Sequence, residues 1–372
     1  MKKQFLFILS IILILGVTFS GCGGGGKSGS PIPPITSSGP KYFAYIAHGS
    51  NNISAYTIDA TTGALSPISG SPFTAGATPF SITVDPAGKF IYVANQDSND
   101  ISAYAIDATT GALTNFSESP FTAGSKPVSI TVDPTGKFMY VANLNSVSAY
   151  TINTTGTLTP VSGSPFSTGK FHFSVAVEPQ GKFLYVTNPV DNKVSAYGIN
   201  SSGVLSEITA SGSPFVTGLV PVSVAVDPTG KFAYVANLNS DNISAYTINP
   251  TTGALSEITG SPFSVGLDPV SITIDSTGQF FYVVTQGSNH ISAYTIDPTT
   301  GALAPVTGGS PCETGSGSCS ATIDPTGRFI YVANTSSNNI SAYQIDPATG
   351  VLTSIGGGIS ISSPRSIVTI KK

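Results

Sequence analysis

The sequence predicts an all-β chain, a seven-bladed β-propeller with four antiparallel strands per blade, on three observations. A carboxylate closing one recurrent strand returns at Asp85, Asp133, Glu178, Asp227, Asp275 and Asp324, at intervals of 45 to 49 residues. So fixed a period marks a repeat array. The tyrosines fall into two columns seven deep. One holds Tyr45, Tyr92, Tyr140, Tyr185, Tyr234, Tyr282 and Tyr331; the other holds Tyr56, Tyr104, Tyr150, Tyr197, Tyr246, Tyr294 and Tyr343. Finally, the repeat is split between the two ends of the chain. Lys41 to Gly76 supplies a second, third and fourth strand without a first, and Pro364 to Ile370 supplies a first strand alone. Joined, they complete blade 1, so that the C-terminal strand seals the ring and removes two open sheet edges.

The unit is clearest from Pro221 to Gly266. Its first strand is read in PVSVAVDP and its second in KFAYVAN, rich in the β-branched and aromatic residues that suit a pleated surface. The third is ISAYTIN and the fourth ALSEITGSPF. Between the first two lies DPTGK, with proline at the second turn position and glycine for a positive φ. Between the last two lies NPTTG, or DPTTG in other units, where Asn or Asp closes an Asx turn. Four antiparallel strands in a repeat of this length make a propeller blade. Only 9% of the residues are charged, and an apolar share of 40% is enough to build a core, which argues against disorder.

The motif YVTN at Tyr185 to Asn188, with YVAN at Tyr92, Tyr140, Tyr234 and Tyr331, resembles the YVTN-repeat proteins and the seven-bladed lactonase-like propellers. The resemblance covers residues 41–372. It implies the propeller fold and, as an activity, the ring opening of a sugar lactone by His, Arg and Glu at the central channel. A fold of this kind hosts unrelated functions, so the site must decide.

Ahead of the propeller, residues 1–21 read as a secretory leader. Lys2 and Lys3 precede an apolar run from Phe5 to Phe19, with small residues following; an uncut anchor is the other reading, although the run is short for a membrane span. The FSGC ending resembles a bacterial lipobox, which implies a bacterial lipoprotein lipidated on Cys22. Residues 22–40 are then that cysteine and a Gly/Ser/Pro linker, whose 18 residues after Cys22 reach roughly 25 Å as a flexible chain. The expected location is the bacterial envelope, exported and lipid-anchored in the membrane through Cys22. Gly23 in place of aspartate favours the outer membrane or cell surface in a Gram-negative cell. In such a compartment Cys312 and Cys319, in SPCETGSGSC, are expected to pair as a disulfide; a metal site there lacks ligands. No other metal or cofactor motif is present. Arg328 and Arg365 are the only arginines and no basic run exists, so nucleic acid is excluded as a partner.

The DPTGK and DPTTG turns share one face, and their charges read as turn-formers. The loops after YVAN and between blades form the opposite, variable face, where binding usually lies. His48, His172 and His290 all map there, and His290 reads as an exposed loop residue. His48 ends a second strand where most blades have Asn, and His172 replaces the proline that opens most blades. Arg365 is the outlier of its column, where other blades carry Phe80, Val128, Phe173, Val222, Val270 and Cys319. Folding the hairpin puts Arg365 roughly opposite positions 47 and 48. Arg365 and His48 are therefore expected as neighbours, able to hold a carboxylate or phosphate or simply to sit solvated at the rim. Lys170 and His172 are further ligand candidates, and Glu313 a possible third member beside His48 and Arg365 in a catalytic set. No lactonase residue transfers cleanly, since no Glu follows a YVAN end and His172 is one position off a blade-opening His-Ser. The expectation is therefore a propeller serving as a non-enzymatic binding scaffold for a protein, glycan or small anionic ligand. The alternative is a lactonase, a 6-phosphogluconolactonase-like hydrolase with its site at the channel mouth.

Overall fold

The computed structural model describes residues 39–372 apart from 170 and 357. The leader at 1–21, Cys22 with the linker as far as residue 38, and Lys170 lie outside the described residues. Seven antiparallel sheets form seven blades. In the fifth, the strands run outward from the channel as Pro221–Val226, Phe232–Asn237, Asn242–Ile248 and Leu255–Glu257. The second strand is buried along its whole length. It has a partner strand on either side and a neighbouring blade on either face, which explains the near-continuous apolar reading of FAYVAN.

The expected fourth strand is broken in two. After Leu255–Glu257 the chain turns through a cis Ser261–Pro262 peptide, and Phe263–Ser264 pairs with the start of the third strand. Ser261 bridges the gap, its Oγ accepting the amide of Ala245 at 3.0 Å. The break recurs in the other blades as short strands such as Phe73–Thr74 and Phe121–Thr122.

Blade 1 is built from both ends of the described chain. Pro364–Lys371 pairs antiparallel with Tyr42–His48, Phe43 opposite Ile370 and Tyr45 opposite Val368. Ile367 and Ile370 of this closing strand are buried.

The inner tyrosine column explains itself as a set of latches. Each hydroxyl donates to the carbonyl of a turn glycine in the next blade: Tyr45 to Gly111, Tyr234 to Gly301, and Tyr331 of blade 7 to Gly63 of blade 1, each at 2.8 Å. The last of these carries the series across the seam. Gly63 sits at φ +72°, and a Cβ there would lie 2.5 Å from the Phe329 ring, so only glycine fits. Serines stitch the inner strands in the same sense. Ser366 Oγ accepts the amide of Ile82, Ser81 that of Ile130, and Ser271 that of Ala321, at 3.2 to 3.3 Å. The turn carboxylates act as expected: Asp133 Oδ1 accepts the amides of Lys137 and Phe138 at 2.8 and 2.7 Å.

Candidate active site at the channel mouth

One irregularity positions the site. In blades 1, 2, 5, 6 and 7 the ladder between the first two strands slips by one residue just after the first strand opens. The skipped residues are Arg365, Phe80, Val222, Val270 and Cys319. A bulge of this kind re-aims a side chain, and here it turns that column out of the ladder into the channel mouth. These residues line a cavity of about 460 Å³, within the range of small-molecule sites. Phe173, Leu238, Gln286, Thr335 and Ser336 complete much of its wall. Phe80 and Phe173 meet edge to face with ring centroids 6.0 Å apart.

Arg365 is the charged residue of this lining. Its guanidinium carbon stands 5.4 Å from the Phe80 ring centroid, a cation–π distance. Its Nε is buried with no hydrogen-bond partner, an unusual condition for a charged donor. A Cβ on Gly49 would sit 3.3 Å from that Nε, so the small residue leaves the guanidinium its room.

The bulge leaves Arg365 opposite the Ala47–His48 step, with Ala47 paired to Ser366 and His48 to Pro364. Arg365 lines the cavity, whereas His48 hydrogen-bonds within its own blade. Its Nδ1 lies 2.7 Å from Ser50 Oγ and its Nε2 3.1 Å from Ser54 Oγ. This is the place Asn95 takes in blade 2, bonded to Asp100 and Ser102. His172 is likewise enclosed, with Thr168 Oγ1 2.5 Å from Nε2 and Asn188 Oδ1 2.9 Å from Nδ1. Burial lowers the pKa of both imidazoles. Neither ring lines the cavity. Glu313 is exposed, opposite His290 on the outer strands of blade 6, and is also absent from the lining.

The expected disulfide is corrected: Cys312 and Cys319 are free thiols. Cys312 lies on the outer strand Cys312–Glu313 of blade 6, and its thiol donates to Gly309 O at 2.9 Å. Cys319 occupies the bulge of blade 7, where its thiol donates to Arg365 O at 3.1 Å. The chain between them crosses from one blade to the next, which separates the sulfurs. Among the described residues no group of three His, Cys, Asp or Glu is placed to hold a metal ion.

One carboxylate within the electrostatic reach of Arg365 was not singled out by the sequence. Asp97, in the loop after the second strand of blade 2, is held below the usual carboxylate range by hydrogen bonds from Lys126 and Thr78, with a further pull from Arg365. Lys126 Nζ lies 2.7 Å from its Oδ1, and Thr78 Oγ1 2.6 Å from its Oδ2. The signal was present: two places after the end of this strand, other blades carry Ser50, Asn145, Val190, Asn239, Gly287 and Ser336. Asp97 is the acid of that column, one blade from Arg365.

The fold is a closed seven-bladed propeller with a cavity at the mouth of its channel. The chain belongs to the family described as Lactonase, 7-bladed beta-propeller, whose matches span residues 35–130, 121–267, 262–321 and 314–369. It is similar in structure to a putative 6-phosphogluconolactonase from Bacteroides fragilis (22% identity, TM-score 0.78), covering 91% of this chain and 100% of that one. A putative 6-phosphogluconolactonase from Bacteroides uniformis is 20% identical with TM-score 0.77, covering 89% and 99%. The Pseudomonas aeruginosa periplasmic gluconolactonase PpgL is 19% identical with TM-score 0.77 and the same coverage. No curated protein matches the chain. Identities this low speak to the fold. The family match overturns the expectation of a non-enzymatic binding scaffold and favours the lactonase alternative. The surface agrees, being concave with a lone cation where a scaffold would be broad and shallow.

Proposed function

We propose that the protein is a lactone hydrolase acting at the channel mouth, with Arg365 as the residue that meets the substrate. The observation that carries this reading is the Arg365 side chain: a cation with an unpartnered buried Nε, lining a cavity of about 460 Å³. A lactone carbonyl oxygen directed at the guanidinium is polarised. When water adds to the carbonyl carbon, the oxyanion that forms is stabilised by a donor already in place. The adding water gives up a proton to solvent. Collapse of the oxyanion breaks the ring C–O bond, the ring oxygen takes a proton from solvent, and a hydroxy acid results. Arg365 then holds the new carboxylate as a charge-assisted pair until release.

The basic-apolar start and the FSGC resemblance to a lipobox support a location at the cell envelope, with the chain tethered through Cys22. Replacing Cys22 with Ser should abolish incorporation of labelled palmitate; labelling that persists would remove the lipoprotein assignment.

The activity is tested by pH-stat titration of lactone opening with purified mature protein. Arg365→Ala should lower kcat by about 100- to 1,000-fold, the usual loss when an oxyanion donor is removed. Wild-type rates no higher than those of Arg365→Ala would sink the hydrolase reading.

A further inference from the structure

The cavity is walled mostly by hydrocarbon, with few polar side chains. The polar ones, Arg365, Gln286, Thr335 and Ser336, come from blades 1, 6 and 7. Phe80, Phe173, Val222 and Leu238 of blades 2, 4 and 5, with Val270 and Cys319 of blades 6 and 7, supply the apolar wall. The apolar surface runs on past the mouth. Leu219, next to Val220, is 53% exposed; Val190, next to Pro189, is 57% exposed; Phe171, two residues before Phe173, is 50% exposed. Exposed apolar side chains this closely grouped around a cavity mark a place where a ligand lies.

A sugar lactone carries a hydroxyl on almost every ring carbon, and each needs a partner once desolvated. The lining supplies few. Thr335 Oγ1 already donates to Pro364 O at 2.6 Å, which leaves Gln286 and Ser336 beside Arg365 as the free polar side chains of the wall. A phosphate ester would ask for more than one cation, and Arg365 is the charged residue in the lining. A formal net charge of −4 also works against a dianion.

We propose that the substrate is a neutral lactone with an alkyl or aryl substituent, not a sugar lactone or its phosphate. The ester head docks at Arg365 and the substituent lies over Phe80, Phe173, Val222 and Leu238. This assignment rests on the hydrolase reading above and adds the substrate class to it. The apolar rim provides room for the substituent to extend beyond the mouth, so chain length is read by burial.

The experiment is a pH-stat comparison with the full mature chain of δ-valerolactone, δ-hexalactone, δ-octalactone and δ-decalactone against glucono-δ-lactone and 6-phosphogluconolactone. Each methylene buried should raise kcat/KM about threefold, so δ-decalactone should exceed both sugar lactones by more than about tenfold. Leu238→Gln should flatten the alkyl series and lower δ-decalactone turnover by about tenfold. A thermal melt of that variant confirms that it folds, and Val222→Thr provides a second, milder probe of the same wall. A flat alkyl series, or a preference for either sugar lactone, overturns the apolar-substrate assignment and leaves the hydrolase reading standing. Failure to open any of the six lactones overturns the hydrolase reading, and this assignment with it.

Discussion

Removing one oxygen atom, in Tyr331→Phe, tests whether the propeller is a closed ring. The Tyr331 hydroxyl is buried and donates at 2.8 Å to Gly63 O, linking blade 7 to blade 1. Phenylalanine keeps the ring and its packing but leaves the glycine carbonyl without that donor, at a cost of about 1–3 kcal/mol. At roughly 2.1 cal/mol/K of unfolding entropy per residue, a propeller of this size changes entropy by about 0.7 kcal/mol/K. The expected loss in Tm is therefore about 1.5–4 °C. Tyr234→Phe is the matched control, since its hydroxyl makes the same 2.8 Å bond to Gly301 between two blades inside the array. Tyr42→Phe serves as the blank, because Tyr42 stands outside both tyrosine columns. Urea and thermal unfolding of the three variants should show Tyr331→Phe and Tyr234→Phe equally destabilised and Tyr42→Phe near wild type. If Tyr234→Phe loses stability while Tyr331→Phe does not, blades 7 and 1 are not latched and the ring closure argued above is wrong.

The enclosed histidines give a pH prediction. Burial depresses the folded-state pKa of His48 and His172 below the unfolded value near 6.5. The unfolded chain then binds more protons between the two pKa values, so stability is complete above about pH 6.5 and falls as pH drops below it. In His172 the Nδ1–H donates to Asn188 Oδ1, so a proton on Nε2 would oblige the Thr168 hydroxyl to turn from donor to acceptor. His172→Gln should reduce the slope of Tm against pH between about 6.5 and 5; an unchanged slope would take His172 out of the linkage.

Much of the fold was legible because the repeat copies packing that every blade needs. The tyrosine columns counted seven blades, and the orphan first strand at Pro364 predicted the closure seen in the pairing with Tyr42–His48. What was lost was local. The fourth strand read as one run because the pattern ALSEITGSPF does not show that a serine hydroxyl will stand in for part of the ladder. Arg365 was found as the odd member of an apolar column, and hairpin register set it opposite positions 47 and 48. Register alone could not show the one-residue bulge that gives its side chain to the cavity while His48 stays bonded to Ser50 and Ser54. Asp97 was passed over because NQDSND reads as a turn, and its meaning depends on Arg365, which a loop sequence cannot reveal. The cysteines were paired on compartment and spacing, although six intervening residues that step between blades carry the sulfurs to different walls.

The closing strand links the fold to the chemistry, because the residue assigned to the substrate lies on the segment that seals the ring. A chain ending at Ser363 would lose Arg365 together with Ile367 and Ile370, and would leave the Tyr42–His48 strand as an open edge. It should be cleaved faster than wild type in limited proteolysis and should open no lactone. Loss of activity alone could follow from unfolding, so the peptide SPRSIVTIKK provides the sharper measurement. An open edge with apolar sockets accepts an extended strand by β-augmentation, and the peptide carries both the isoleucines and the guanidinium. Added in excess, it should restore protease resistance and turnover together. The same peptide with Ala for Arg365 should restore resistance without turnover, since the backbone ladder and the apolar contacts remain. Resistance equal to wild type in the truncated chain alone would show that the last strand seals nothing. Turnover restored by the Ala peptide would show that Arg365 is scenery at the mouth of the channel and that the chemistry lies elsewhere.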